Sequence, residues 1–325
     1  MTMRKNLIKL TSLFLAAAMA AGTTLVSARE AGTEKKDQSK PPAWVETVEG
    51  GPRENPITES ETAQPPAPQE RKDVKVPILL YHHITTEEFS NGNEISLISP
   101  FDFRLHMTAI KVNFTPISLR QYYEYVTCTD GSVTLPDDPI IVTFDDGYLS
   151  NYEIAFPILK ELEIPATIFV VTDTVGEMAG GGVVNYSHFT WEQAREMEDS
   201  GLIEIQSHTA GHVALGELSE SELVTQLRKS KYMIEKNLGR ACDMIAFPYG
   251  SYTPEVVSAA KSAGYHLQAL VDDKTSEEDF EVNLPSEGVE NLTRMTVAGT
   301  MGNVNVIEII RRAMAKKIIP TNSGS

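Results

Sequence analysis

Ile140-Ile141-Val142-Thr143-Phe144-Asp145-Asp146-Gly147-Tyr148 is an apolar run that stops at two adjacent carboxylates and a glycine. Successive side chains on a strand point to opposite faces, so Asp145 and Asp146 converge on one site only where the strand gives way to a loop. Gly147 permits that turn. Two carboxylates held close do not behave alike: one that binds a cation stays ionised, while its neighbour is free to take a proton. The pair reads as a ligand beside a base, with a solvated Asp-Asp-Gly turn as the alternative. A second apolar run, Leu202-Ile203-Glu204-Ile205, leads into Ser207-His208-Thr209-Ala210-Gly211-His212. Imidazoles four residues apart can share one face of a single turn. Only seven histidines occur in the chain, which makes two at ligand spacing after a strand an informative pairing. Asp146, His208 and His212 would supply one carboxylate and two neutral imidazoles. Such a set leaves positions open for water or substrate, as catalytic metal sites do and closed structural ones do not.

Working outward, seven β-like runs can be counted: Pro77–Ile84, Ile140–Phe144, Ala166–Val171, Leu202–Gln206, Met244–Phe247, Leu267–Val271 and Met295–Ala298. Most are continuous apolar stretches of the kind expected where both faces of a strand are covered. Helix-like segments alternate with them. The clearest opens on Ser219-Glu220-Ser221-Glu222, a capping-box pattern, continues with Leu223, Leu227, Ile234 and Leu238 at helical spacing, and stops at Gly239. Strand and helix in alternation imply a parallel sheet, and seven units imply an α/β fold of the incomplete or distorted (β/α)7, TIM-barrel-like kind. The chemical motifs then fall at the C-terminal ends of the first, second, fourth and fifth runs, the face where barrel enzymes carry their sites.

In these motifs the chain resembles the polysaccharide deacetylase family, carbohydrate esterases that share a nodulation-protein-like catalytic domain. Thr143-Phe144-Asp145-Asp146-Gly147-Tyr148 and Ser207-His208-Thr209-Ala210-Gly211-His212 are similar to its first two motifs. The resemblance implies Asp145 as general base and Asp146, His208 and His212 as metal ligands, the metal being zinc first, with cobalt, nickel or manganese as alternatives. Phe247-Pro248-Tyr249-Gly250 is similar to a third motif, in which the tyrosine N–H helps hold the oxyanion. That role is physically reasonable, because Pro248 rigidifies the approach and Tyr249 supplies the first donor after it. Two departures stand out. The family's third motif begins with an arginine that tethers the base, and this chain has Ala246 in that neighbourhood. Arg294, at the start of a late apolar run, is the candidate by position, a surface arginine being the alternative. The family's Leu-x-His motif for the catalytic acid does not follow the third motif. It occurs at the other end, as Leu80-Tyr81-His82, which resembles the circularly permuted subgroup that deacetylates poly-N-acetylglucosamine in biofilms. His82 is then the expected acid, and His83, facing the other way on a regular strand, is structural.

Toward the N-terminus, Arg4, Lys5 and Lys9 precede an apolar stretch from Leu10 to Ala21, and Val26-Ser27-Ala28 has the small-x-small form of a cleavage site. Residues 1–28 read as a signal peptide. Residues 29–73 are rich in Pro, Glu and Thr without apolar periodicity and read as a disordered linker. The catalytic domain is expected over 74–319, with a short tail over 320–325. The formal charge is −17, and removing a leader with three cations and no acid leaves −20. A chain this acidic excludes nucleic acid as a natural partner, whereas a neutral or amine-bearing glycan is not repelled. Cys128 and Cys242 are not expected to pair. The sequence therefore leads to a secreted or cell-surface monomer that removes N-acetyl groups from an acetylated aminosugar polysaccharide. Peptidoglycan, chitin oligomers, an O-acetylated xylan or a non-catalytic glycan-binding role are the alternatives.

Overall fold

The computed structural model describes residues 73–86, 97–179, 186–271, 280–297 and 306–316. The expected signal peptide, nearly all of the linker, residues 317–319 and the tail lie outside them. Seven parallel strands form the central sheet: β1 (Ile78–Tyr81), β2 (Pro139–Asp146), β3 (Ala166–Val170), β4 (Ile203–Ser207), β5 (Met244–Ala246), β6 (Leu267–Ala269) and β7 (Met295–Thr296). Their spatial order is β6-β5-β4-β3-β2-β1-β7, and Thr115–Pro116 adds a short pairing beside the start of β2. The helices are α1 (Pro100–Asn113), α2 (Leu119–Thr127), α3 (Phe156–Leu162), α4 (Trp191–Asp199), α5 (Glu220–Leu238), α6 (Pro254–Ser262) and α7 (Val306–Ala315).

One segment brings the two edges of the sheet together. Leu292 bridges to Ala269 of β6, with hydrogen bonds from Gln268 to Val289 and from Leu270 to Leu292, and three residues later Met295 pairs with Leu79 of β1. The sheet is thus a distorted seven-stranded barrel whose seam is irregular. Strand alternation sorts the residues into two cores. Leu79, Ile140, Val142, Phe144, Ile168, Val170, Ile203, Ile205 and Ile245 face the helices. Ile78, Ile141, Phe169, Met244, Ala246, Leu267 and Ala269 form the second, inner cluster. On β2 the inner parity runs Ile141, Thr143, Asp145, and on β4 it runs Glu204, Gln206, His208.

The expected runs are all present, with two differences. Pro77–Ile84 does not continue as one strand, because side chains take over its backbone partners at His82. Asn151 donates from Nδ2 to the His82 carbonyl (2.8 Å), and the Ile84 N–H goes to Ser150 Oγ (3.0 Å). His83–Ile84 then pairs with Leu97–Ile98 instead. Conversely, β2 runs two residues past Phe144, since Asp145 and Asp146 still pair with Phe169 and Val170. In α5 the carboxylate of Glu222 accepts the Ser219 N–H (3.0 Å), and the helix ends at Gly239 (φ 68°). Cys128 and Cys242 are not joined by a disulfide.

At the N-terminal end of the barrel, Arg120 holds Asp243 with two bonds (2.5 and 2.8 Å) and Glu204 Oε1 with two more (2.6 and 3.2 Å). This end of such a barrel serves stability rather than chemistry. Arg120→Met leaves two carboxylates facing each other and should lower unfolding free energy by on the order of 2–3 kcal/mol. That is below the roughly 3–5 of a fully buried pair, because the three groups keep 17–28% of their surface. Urea denaturation should show the lower midpoint with an unchanged slope.

Candidate metal and catalytic site

Regular alternation would send Asp145 into the barrel and Asp146 out toward the helices. The chain avoids this by turning Asp146 itself into the left-handed region (φ 70°), one residue earlier than the glycine, with Gly147 following at φ 83°. Left-handed backbone is costly for a residue with a Cβ. Gly147 has no such freedom to change, because a Cβ there would lie 3.1 Å from Val170 Cγ1. The outcome is that both carboxylates reach the same pocket.

His208 leaves the end of β4 on the inner parity. Its Nδ1 lies 2.9 Å from the Ala246 carbonyl, which can only accept, so Nδ1 carries the proton and Nε2 presents its lone pair. Burial holds this imidazole neutral, against the pull of Asp145 and Asp146. Thr209 (φ 70°) then reverses the chain, with its N–H on Ser207 Oγ (3.1 Å) and its carbonyl accepting from Thr172 (3.2 Å). Gly211 N–H is fixed by Gln226 of α5 (2.8 Å), and His212 (φ 52°) returns toward Asp146. Ligand atoms of Asp146, His208 and His212 all lie within 4.8 Å of one another. Asp146 Oδ1 sits 3.7 Å from His208 Nε2 and 3.3 Å from His212 Nε2. That oxygen is buried and has no hydrogen-bond partner among the described residues. An anionic oxygen enclosed with two imidazole lone pairs is the donor set of a divalent transition metal, and these three residues could hold one.

Asp145 is built differently. It has no exposed surface, and both of its oxygens receive Arg294, Nη1 to Oδ1 and Nη2 to Oδ2, each at 2.7 Å. Burial alone would raise its pKa. The Arg294 charge, with its two hydrogen bonds, outweighs burial and holds the carboxyl below the usual carboxylate range. Arg294 is in turn fixed by Nε on the Leu270 carbonyl (2.8 Å), by Thr143 Oγ1 (3.4 Å) and by the Phe169 ring beneath it (5.3 Å). It lies in the segment that joins the two sheet edges and enters the barrel just before β7.

His82 follows β1 on the inner parity, near enough to Asp145 to contribute to its field, and its Nδ1 is buried without a hydrogen-bond partner among the described residues. Pro248 and Tyr249 follow β5. Tyr249 (φ 58°) turns the chain, the N–H groups of Gly250 and Ser251 are engaged by the carbonyls of Phe247 and Pro248 (3.1 and 3.0 Å), and Tyr249 Oη meets His212 Nδ1 at 3.0 Å. A Cβ at Gly250 (φ 61°) would lie 3.1 Å from the Val271 carbonyl oxygen, so glycine is favoured at that position. The structure therefore gathers Asp145, Asp146, His208, His212 and Arg294 into one connected site, with His82 and Tyr249 at its edges.

Sequence reasoning gave no role to Tyr148. Its phenol hydrogen-bonds the Asp146 carboxylate and is kept protonated by burial and by that charge. Tyr148 stacks on His188 (5.1 Å) and meets His83 (5.0 Å), and burial lowers the His83 pKa to about 4. His83 bonds Ser150 Oγ through Nδ1 (2.9 Å). Tyr148 was visible as the last residue of the first motif. Thr143, the first residue of that motif, was likewise given no role, and Phe169, which with it seats Arg294, carried no signal beyond strand periodicity.

Residues 132–268 match the sequence profile of the polysaccharide deacetylase family, and they carry a polysaccharide deacetylase domain. The chain is 31% identical over 202 residues to YxkH of Bacillus subtilis (strain 168), covering 60% of this chain and 64% of that protein. It is 31% identical over 147 residues to the poly-beta-1,6-N-acetyl-D-glucosamine N-deacetylase of Staphylococcus aureus (strain MSSA476), covering 43% of this chain and 50% of that one. The chain thus spans about half to two thirds of the length of these relatives. Among solved structures it is similar to the Streptococcus pyogenes deacetylase PplD in complex with acetate, with TM-score 0.61 and 25% identity over 73% of this chain and 99% of that one.

The Arg294–Asp145 pair makes stability depend on pH with a definite sign. A carboxyl whose folded pKa is depressed contributes stability that is present above its unfolded value, near 4, and is lost as pH falls through the folded value. Arg294→Ala strands a buried charge and should cost about 3–5 kcal/mol at pH 7. The gap between wild type and variant, measured by chemical denaturation, should narrow as pH falls below about 4. A gap that does not change with pH would remove Asp145 from the explanation.

Proposed function

We propose that this polysaccharide deacetylase domain hydrolyses N-acetyl groups on a GlcNAc-containing polymer, with Asp145 as base, His82 as acid and Asp146, His208 and His212 as metal ligands. The observation that carries the reading is the opposite fate of two adjacent acids. Both oxygens of Asp145 are taken up by Arg294, although one of them also lies 3.7 Å from His208 Nε2, while Asp146 keeps a buried oxygen with no hydrogen-bond partner among the described residues, facing two imidazoles. Zinc suits one carboxylate and two imidazoles best, and when bound it would polarise the acetyl carbonyl and acidify a water molecule at its open positions.

Asp145, held ionised, takes the proton of the attacking water. As the carbonyl carbon becomes tetrahedral, the Tyr249 N–H donates to the developing oxyanion, a contact of a type worth about 3 kcal/mol in other enzymes. His82 gives a proton to the amide nitrogen as the C–N bond breaks, since an amine cannot leave as an anion at neutral pH. Water and amide are consumed, and acetate and the free amine are formed. The likeness to the staphylococcal deacetylase supports a β-1,6-linked N-acetylglucosamine polymer as substrate, and the character of residues 1–28 supports export.

Acetate release from β-1,6-linked N-acetylglucosamine oligomers should vanish with chelator and return with zinc. Asp145→Asn should keep its zinc and lose turnover by about 10²–10⁴-fold, the usual worth of a general base. His208→Ala should lose both metal and turnover. Full activity in Asp145→Asn would sink the assignment of the base.

A further inference from the structure

We propose that Tyr249 is a positioning residue for the metal site: its hydroxyl fixes the tautomer and orientation of His212, so one residue serves both the oxyanion and the metal ligand set. This rests on the metal-site reading above. The three ligands differ in how they are held. The Nδ1 of His208 is committed to a buried backbone carbonyl (2.9 Å), and Asp146 is bonded by the buried phenol of Tyr148. His212 has neither kind of support. Its side chain is 31% exposed, against 2% for His208 and 13% for Asp146, and the hydrogen bond found for its Nδ1 is the 3.0 Å contact with Tyr249 Oη.

For His212 Nε2 to offer a lone pair beside Asp146 Oδ1, the ring proton must sit on Nδ1. Nδ1–H then donates and the phenol oxygen accepts. The Tyr249 ring also abuts the imidazole edge-on, with centroids 4.7 Å apart at 61°, and so restricts its rotation. This geometry is not a default of the loop. Both residues sit at positive φ (52° and 58°), and a Tyr249 side chain that is 60% exposed would otherwise be free to turn to solvent. A metal ligand held by an exposed side chain is the least constrained of the three, and the metal site becomes sensitive to whatever contacts Tyr249 from outside.

The test uses the full chain and zinc alone. Tyr249→Phe keeps the ring and the backbone N–H and removes only the acceptor. Zinc affinity, measured by competition with a chromophoric chelator, should weaken about 10–100-fold, the usual cost of losing an outer-shell partner of a ligating histidine. The visible absorption of the cobalt-substituted variant should shift in the same experiment. Wild-type zinc affinity together with an unchanged cobalt spectrum would overturn the proposal, whereas a wild-type protein that binds no zinc would overturn the metal-site reading itself. A second measurement needs no variant: ¹⁵N spectra of the zinc-loaded protein should show His212 protonated at Nδ1, and protonation at Nε2 would refute the assignment.

Discussion

Two full charges meet inside this barrel with no exposed surface on either side chain, and the rest of the site is arranged around that fact. Taking a guanidinium and a carboxylate out of water costs several kcal/mol per ion, and mutual attraction offsets it only where geometry and additional hydrogen bonds are good. Here both Asp145 oxygens are bonded at 2.7 Å, Arg294 Nε is satisfied by the Leu270 carbonyl, and the Phe169 face covers the guanidinium. The inner parity of the strands is correspondingly polar at Thr143, Thr167, Glu204 and Gln206, where an ordinary barrel of this type would place branched apolar side chains. The pairing also has a chemical consequence. A carboxylate held so firmly ionised is a weak proton acceptor, so it can serve as a base only toward water that is itself made more acidic. Under the proposed roles, Asp145 and the three candidate ligands would act only together.

The ligand triad is assembled by strained backbone. Of the six non-glycine residues with positive φ among the described residues, Asp146, Thr209, His212 and Tyr249 belong to the site. Each left-handed residue of this kind costs on the order of 1–2 kcal/mol, and such conformations persist where the surroundings over-determine them. The surroundings here are specific: Ser207 Oγ and the Thr172 N–H hold Thr209, Gln226 holds Gly211, and Thr209 Oγ1 accepts the His212 N–H at 3.2 Å. The strain aims three side chains at one point that a regular strand and turn would scatter.

Much of this was legible in the sequence because it depends on local rules. Strand ends, the i,i+4 imidazoles and the Pro-Tyr-Gly turn are short-range patterns, and the positions of the seven strands follow from where apolar runs stop. The Asp145–Asp146 convergence was legible in outcome, although the backbone turns left-handed at Asp146 itself rather than first at Gly147, while Asp146 still pairs with Val170. The break at His82 was not legible. It depends on Ser150 and Asn151, more than sixty residues away, which take backbone groups that a regular strand would have used. Phe169 was unreadable as a site residue for a similar reason: an aromatic on an inner parity reads as core until its neighbour in space is known, and Tyr148, though part of the first motif, gave no sign of its partner. Arg294 showed only its place in the chain, and nothing local specifies a partner 149 residues distant.

The two parts of the site differ in what they require of the fold. Asp146, His208, His212 and Tyr249 come from the ends of β2, β4 and β5, within the stretch that matches the family profile. Those strands lie in one continuous run of the sheet, β5-β4-β3-β2, whose pairing does not involve its edges. His82 and Arg294 lie outside that stretch, at opposite ends of the domain's sequence, and they become neighbours through the β1–β7 ladder that pairs Leu79 with Met295 and Leu80 with Thr296. The residue that clamps the base and the residue proposed as acid therefore arrive by way of the same short seam. Opening that seam would leave the triad's own strands paired while withdrawing both proton-handling elements. The ladder is two residue pairs long, and the segment is also tied to β1, by the Val76–Asn283 bridge just before it and by the Val297 N–H on the Leu80 carbonyl (2.9 Å). The buried Arg294–Asp145 pair crosses from the seam segment to β2 and adds a charged tie to the backbone bonds that fix that segment on β1.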